Sequence, residues 1–393
     1  METGIDAQSV IQEETQAQLG TYAKLPIVAV RGEGIMLYSA DGSAYYDFYC
    51  GHAVTLLGHC HPRVVAAIQE QAARLIFYSN VVYNDVRARY AGKLVASAPE
   101  GFGQVFFCNS GAEANETALK LSRKFTGRPS VIAMRGAFHG RTMGALAMTD
   151  NPKYKAGFEP LQPGVEFAPF GELKPLADMM SEQVAAVILE PVQSIAGVRV
   201  ADAAYYRGLK ELCDKWGALL VFDEIQTGLG RTGKLWAGEH WGVTPDIITL
   251  AKGIAGGVPM GATLVSSRVA QTVKLDEHGS TFGGAPLACA AASATLDVIL
   301  GEDLPSHAAA MGNLIKEHVC ELPHVQEVRG MGLLLGLLLD LPAKDVQAGA
   351  LERGVILGTS ADPNVLRLMP PMVVTEADVD HLASVLGAVL SER

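Results

Sequence analysis

Lys252 stands between Ala251 and Gly253, directly after the apolar run DIITL at 246–250. A lysine at the end of a buried strand loses its water. Desolvation lowers the amine's pKa and makes it a nucleophile, whereas a lysine in an open loop is only a solvated cation. Asp223 follows ALLVF at 218–222. A carboxylate there is costly unless it meets a cation or N–H donors. The alternative is a structural aspartate that ties down the next loop. Ser110-Gly111-Ala112 comes after QVFFC at 104–108 and opens EANETALKLSRKF at 113–125. A helix start offers free N–H groups and a positive dipole end, which suits a phosphate. Ser110 suits a plain helix cap equally well. Two further apolar runs, 130–134 and 184–189, end in Gly136-Ala137-Phe138-His139-Gly140-Arg141 and Glu190-Pro191-Val192-Gln193. One polar ending is ordinary loop chemistry. Five in succession indicate one shared site, because ligands of open α/β sheets bind beyond the carboxyl ends of the strands.

A nucleophilic lysine, a strand-end aspartate and a phosphate-binding helix start together form the set that pyridoxal phosphate requires. The lysine forms the Schiff base, the aspartate pairs with the pyridinium nitrogen and the helix start holds the phosphate. Two competing motifs are weaker. Gly228-Leu229-Gly230-Arg231-Thr232-Gly233 matches the dinucleotide fingerprint, but DEIQT separates it from its strand and KLWAGEHWG is a poor helix start. Gly228 to Lys234 also matches a nucleotide phosphate loop, with Leu235 in the place of the hydroxyl that would hold Mg²⁺. His59-Cys60-His61 is too tightly spaced for a tetrahedral metal site and has no matching pair elsewhere, so a turn before Pro62 is expected and no metal.

The elements that must position these residues are strands at 104–108, 130–134, 184–189, 218–222, 246–250 and 262–266, with helices at 113–125 and 205–216 between them. Near-continuous apolar strands separated by helices indicate a mostly parallel sheet covered on both faces. The ends differ. Residues 35–49 read as a hairpin turning at Asp41-Gly42. Helices are expected at 286–300, 306–321 and 376–390, and strands at 325–329 and 333–339. The expected layout is a large α/β domain at 51–300 and a smaller α+β domain built from both termini, 1–50 and 301–393.

Composition sets limits on function. The chain has 393 residues, 49% hydrophobic and 19% charged, enough apolar surface for a large core. The net charge of −11, without a basic run, disfavours nucleic acid. The longest apolar stretch, 331–339, is far short of the roughly 20 residues that span a bilayer. METGIDAQSVIQEETQ has neither a basic nor an apolar leader region, so no signal peptide is expected. The six cysteines lack paired spacing and read as free thiols. A soluble cytoplasmic protein fits these features.

The motifs also resemble a known family, the class III pyridoxal-phosphate aminotransferases of fold type I. The resemblance runs from about residue 25 to 390. It rests on GHCHP (58–62), NSGAEANE (109–116), AFHGRT (137–142), EPVQ (190–193), DEIQTGLGRTG (223–233), LAKGIAGGVPMGA (250–262) and STFGG (280–284). The compact length and RGEG from Arg31 are most similar to the acetylornithine branch. The resemblance implies a seven-stranded, mostly parallel sheet in the large domain. It also implies that Lys252 holds the cofactor and shuttles the proton, with Asp223 on the pyridine nitrogen. Gln226 would lie near the ring hydroxyl, and Phe138 would stack on the ring with His139 beside it. Ser110, Gly111 and Ala112 would take the phosphate. Thr281, with Ser280, would reach the cofactor or substrate of a neighbouring subunit, which implies a homodimer with shared sites. Arg141 matches a substrate-carboxylate arginine, and Arg367 the arginine for the α-carboxylate of glutamate. Glu190 matches the residue that neutralises this arginine when an ω-amino substrate is bound. Tyr22 matches a substrate-facing tyrosine.

The chain departs from the family at two places. After EPVQ the usual Gly-Glu-Gly-Gly is replaced by Ser194-Ile195-Ala196-Gly197, and His52 stands where the acetylornithine branch carries an aliphatic residue. Both positions bear on the amino donor rather than on the cofactor. The function expected is transfer of the terminal amino group of an ω-amino acid, N2-acetylornithine first, to 2-oxoglutarate. Ornithine, succinylornithine, acetyl-lysine, 4-aminobutyrate and a biosynthetic diamine are the alternative donors. A racemase or aminomutase reaction, or a non-enzymatic binding role, fits the Arg367–Glu190 and Lys252–Asp223 pairs less well.

Overall fold

The computed structural model describes residues 5–393. The first four residues of the run read as lacking a leader lie outside them. Seven strands make the largest sheet, in the order Phe102–Cys108, Gly261–Ser266, Ile247–Leu250, Leu219–Asp223, Val184–Leu189, Ser130–Met134 and Val165–Ala168. Only Gly261–Ser266 runs against the others, antiparallel to both of its neighbours. Val184–Leu189 and Leu219–Asp223 are buried at every position. This explains their unbroken apolar sequences, because helices cover both faces of the sheet.

The fold class expected from sequence is observed. The strand at Val165–Ala168 has no counterpart in the sequence reading. It is four residues long, carries Glu166, and pairs only with Ser130–Met134 at the sheet edge. Helix Gly111–Thr126 turns Ala114, Ala118 and Leu121 into the core and ends at Gly127, whose φ of +69° closes the helix in the left-handed region.

Two four-stranded sheets lie outside the large one. The hairpin Met36–Ser39 and Ala44–Asp47 turns at Asp41-Gly42 as expected, and Val355–Ile356 joins it in parallel, Val355 opposite Tyr46. The other sheet contains Val325–Met331, Leu334–Leu339, Val365–Leu368 and Gly358–Thr359. In it Arg367 sits between Gly336 and Gly358. The short strands at 355–356 and 358–359 were not read from sequence. Long helices at Pro286–Gly301, Leu304–Val319 and Glu376–Ser391 match the expected ones to within two residues.

Candidate active site

The carboxyl ends of the central strands open onto one cavity of about 320 Å³. Its walls include Ser110, Gly111, Ala112, Phe138, His139, Glu190, Asp223, Gln226 and Lys252. The five polar strand endings therefore do converge.

Asp223 is the last residue of its strand and is buried. Its Oδ2 lies 2.7 Å from His139 Nδ1 and accepts from Asn115 Nδ2 at 2.8 Å, while Oδ1 accepts from the Ile225 amide at 3.1 Å. The carboxylate is thus held from three sides, which offsets its desolvation. Asn115 was not singled out in the sequence. The signal was an amide on the buried face of the helix between Ala114 and Ala118. Its Nδ2 also donates to the His139 carbonyl, and its Oδ1 accepts from Thr249.

Lys252 follows Leu250 and Ala251 in a left-handed conformation, φ +46°. Burial lowers its pKa, while Asp223 and Glu190 raise it in part and Arg367 lowers it further. Among the described residues its amine makes no hydrogen bond or ion pair. Burial also lifts the Glu190 carboxyl to about 7. Glu190 Oε1 accepts from the Phe138 amide at 2.9 Å.

The walls fit pyridoxal phosphate. Two buried polar atoms beside the cavity, His139 Nε2 and Gln226 Oε1, lack a protein partner. The amides of Gly111 and Ala112 open helix Gly111–Thr126 at the cavity wall, as the first N–H groups of a helix without intrahelical acceptors. Ser110 is the helix cap: its hydroxyl accepts from the Glu113 amide at 3.2 Å and donates to Glu113 Oε2 at 3.0 Å. The phosphate reading of this helix start therefore falls on the two backbone amides.

The other expected residues lie elsewhere. Arg141 is exposed, its guanidinium 3.5 Å above the Tyr154 ring and 5.7 Å from that of Phe138. Ser280 Oγ takes N–H bonds from Asn109 Nδ2 and Gly283, and Thr281 is exposed. Tyr22 is 78% exposed and is not part of the cavity wall. Arg367 is buried and is not part of the cavity wall. Its Nε donates to Thr359 O at 2.7 Å, Nη1 to Ser194 Oγ at 3.0 Å and Nη2 to Tyr49 Oη at 2.7 Å. Glu190 is not paired with it, being placed on the Phe138 amide instead. Ser194, one of the two departures from the family pattern, thus touches Arg367 directly. His52, the other, packs against Tyr49 with ring centroids 4.8 Å apart. The competing motifs are accounted for structurally: Arg231 is buried against the carbonyls of Leu333 and Pro370, and His59 Nε2 lies 2.9 Å from Asp47 Oδ2.

Residues 19–390 match the family model for class III aminotransferases. An acetylornithine aminotransferase of Methanopyrus kandleri is 45% identical, the match covering 98% of this chain and 99% of that one. An acetylornithine aminotransferase of Methanocaldococcus jannaschii is 41% identical over 97% and 98%. Among solved structures, an ornithine aminotransferase from Toxoplasma gondii superposes with a TM-score of 0.93 at 32% identity, covering 100% of this chain and 97% of that one. An acetylornithine aminotransferase from Elizabethkingia anophelis superposes at 0.88 and 32%, covering 99% and 100%. With its lysine, aspartate and helix start gathered on one cavity, the chain belongs to the class III aminotransferases and is a pyridoxal-phosphate-dependent transaminase.

Proposed function

We propose that the enzyme moves the terminal amino group of N2-acetylornithine to 2-oxoglutarate, giving a semialdehyde and glutamate, a step of arginine biosynthesis. The observation that carries the donor is the whole-chain likeness to acetylornithine aminotransferases at 41–45% identity. Pyridoxal phosphate, when bound, supplies the carbonyl that takes up the amino group and the ring that takes up electrons. Lys252 Nζ would hold the cofactor and would serve as the base that takes up and returns the substrate's proton. Burial lowers the pKa of its amine, which favours the neutral form that both tasks need. Asp223, fixed by His139 and Asn115, would pair with the ring nitrogen and hold its proton. Gly111 and Ala112 would take the phosphate, Phe138 would stack on the ring, and Gln226 with His139 would offer it their unpaired atoms. Arg367 takes the α-carboxylate of glutamate and Arg141 the distal one.

The same proposal includes a homodimer. Ile76, Val81, Val82, Tyr83 and Phe282 are exposed, and the rings of Phe77 and Phe282 pack with centroids 5.0 Å apart. Such a patch marks an interaction surface. Asn80 anchors the carbonyls of Ser280 and Gly283 beside it, so Ser280 and Thr281 would face a partner's cavity. Tyr22, on the exposed N-terminal segment, would face substrate there too. The pairing of Val355 with Tyr46 supports a small domain from 1–50 and 301–393 beside a large one at 51–300. No helix among the described residues is long and apolar enough to cross a membrane. The six free cysteines support a cytoplasmic location.

Ornithine is the second reading of the donor, favoured by TM-scores of 0.93 and 0.94 to ornithine aminotransferases. Turnover of a panel of ω-amines with 2-oxoglutarate separates the two. A kcat/KM for N2-acetylornithine at least about tenfold above that for ornithine, a preference of about 1.4 kcal/mol, is expected. The reverse order would assign ornithine.

A further inference from the structure

We infer that Tyr49 and Ser194 form a fixed cradle that, with the Thr359 carbonyl, engages three of the five donors of Arg367 and holds it in position for a substrate carboxylate. This rests on the reading of Arg367 as the α-carboxylate site.

A guanidinium has five N–H donors. Three are engaged in the structure, one each on Nε, Nη1 and Nη2, by acceptors from three separate segments: Thr359 O, Ser194 Oγ and Tyr49 Oη. Two remain, one on each terminal nitrogen, the number that a carboxylate takes in a bidentate pair. All three acceptors are neutral, so they compete with an incoming carboxylate less than a counter-ion would. An unpartnered buried guanidinium is costly, and the cradle removes most of that cost without bringing in Glu190.

Each acceptor is itself set. Ser194 Oγ donates to Met369 Sδ at 3.9 Å, which leaves its lone pairs free for Arg367. The Tyr49 ring lies against Gly358, where a Cβ would come within 2.1 Å of Cε2 and 2.4 Å of Cδ2. His52 packs on Tyr49 as well, from a turn in which Cys50, Gly51, His52 and Ala53 all have positive φ. Three of those four carry side chains, and left-handed backbone at such residues persists only where the surroundings enforce it. The serine that replaces a glycine of the family pattern is thus part of the arginine's support. Tyr49 and Ser194 are positioning residues for recognition of the α-carboxylate.

The test is the calorimetric affinity of the holoenzyme for glutarate, an unreactive dicarboxylate. Tyr49→Phe and Ser194→Ala should each weaken it about tenfold to fiftyfold, the lower part of the range for one hydrogen bond to a charged group. Gly358→Ala, which displaces the tyrosine ring, should follow Tyr49→Phe. Ser194→Thr keeps the hydroxyl and should recover affinity to within about twofold of wild type. In turnover, KM for glutamate should rise by the same factor while kcat and the donor's KM move little. A general loss of structure would move all three and would overturn the cradle. Arg367→Ala is the control for the underlying reading and should weaken glutarate at least about a hundredfold. If it does, and both Tyr49→Phe and Ser194→Ala bind glutarate as wild type does, the cradle is wrong and the arginine's role stands. If Arg367→Ala itself binds normally, the reading of Arg367 fails and the cradle falls with it.

Discussion

Lys252 is half-buried and Arg367 buried, and their surroundings set them to different work. Burial lowers the pKa of each. The arginine remains charged and engages three acceptors, whereas the lysine amine has none and can lose its proton. Lys252→Ala should therefore abolish the visible absorbance of the lysine-bound cofactor and cut turnover by at least about a thousandfold. Borohydride reduction and peptide mapping should label Lys252, and a label on another lysine would assign the role elsewhere. Asp223→Asn keeps the shape of the side chain but loses the charge proposed to pair with the ring nitrogen. Breaking a buried pair costs roughly 3–5 kcal/mol, so a drop of at least about a hundredfold is expected. A variant within a few-fold of wild type would make Asp223 a structural residue. Glu190 gives a pH test. Its pKa is raised by burial from 4.5 to about 7, so the folded protein holds this proton more tightly than the unfolded chain. The associated stability is fully present below pH 4.5 and is lost as pH rises through 7. Glu190→Gln stays neutral throughout. In cofactor-stripped protein, its stability relative to wild type should climb by up to about 3 kcal/mol across that window and then level off. A difference independent of pH would show that Glu190 stays ionised. The lysine and the aspartate were legible because each ends an apolar run, and the helix-start glycine because it follows one and opens an amphipathic helix. Asn115 was not singled out, since an amide inside an amphipathic helix looks like solvated surface until its face is known.

Elements fix where these groups point. The strand Gly261–Ser266 runs antiparallel beside Phe102–Cys108, with Gly261 opposite Cys108. At Gly261 a Cβ would lie 2.4 Å from the Ser110 carbonyl and 2.8 Å from Cys108 Sγ. The bare glycine lets the strand close on the residue that caps the helix carrying Gly111 and Ala112. Gly261→Ala should push that helix start away from the cavity. Overpacking of this kind costs about 1–3 kcal/mol of stability. The cofactor should also be lost more readily on dialysis, its affinity falling roughly tenfold, as about 1.4 kcal/mol would give. Unchanged cofactor affinity would mean that the helix start does not set it. Strands buried on both faces were readable to within about a residue or two from their apolar runs. The strand at Val165–Ala168 was missed because an edge strand carrying a glutamate has no such run. The turn at Cys50–Ala53 was missed for a different reason: of its four left-handed residues only Gly51 announces itself, and the rest are imposed by packing that no local sequence records.

At the scale of the whole molecule, the chain that folds leaves apolar surface uncovered next to its own chemistry. Val81 is 83% exposed and Tyr83 fully so, and both lie on the segment whose Asn80 anchors the loop carrying Ser280 and Thr281. Sequence showed that such residues exist but not that they cluster, because Val81 and Phe282 are about two hundred positions apart and only the fold brings their surroundings together. Covering this patch with a second copy would bury it and bring the Thr281 loop to a partner's cavity. Each chain carries a net charge of −11, so association must overcome repulsion that salt screens. Two consequences follow from the same surface. Sedimentation should show a dimer that tightens, rather than loosens, as salt rises from about 0.01 M to 0.15 M, where the screening length falls from roughly 30 Å to 8 Å. The double variant Val81→Asp/Tyr83→Asp places two more negative charges per chain at the centre of the patch and should give a folded monomer. That monomer should have weakened cofactor affinity and little turnover, because each cavity would lack the loop its partner supplies. A variant monomer with full activity at high dilution would show that one chain suffices, and a variant that remains a dimer would place the interface elsewhere.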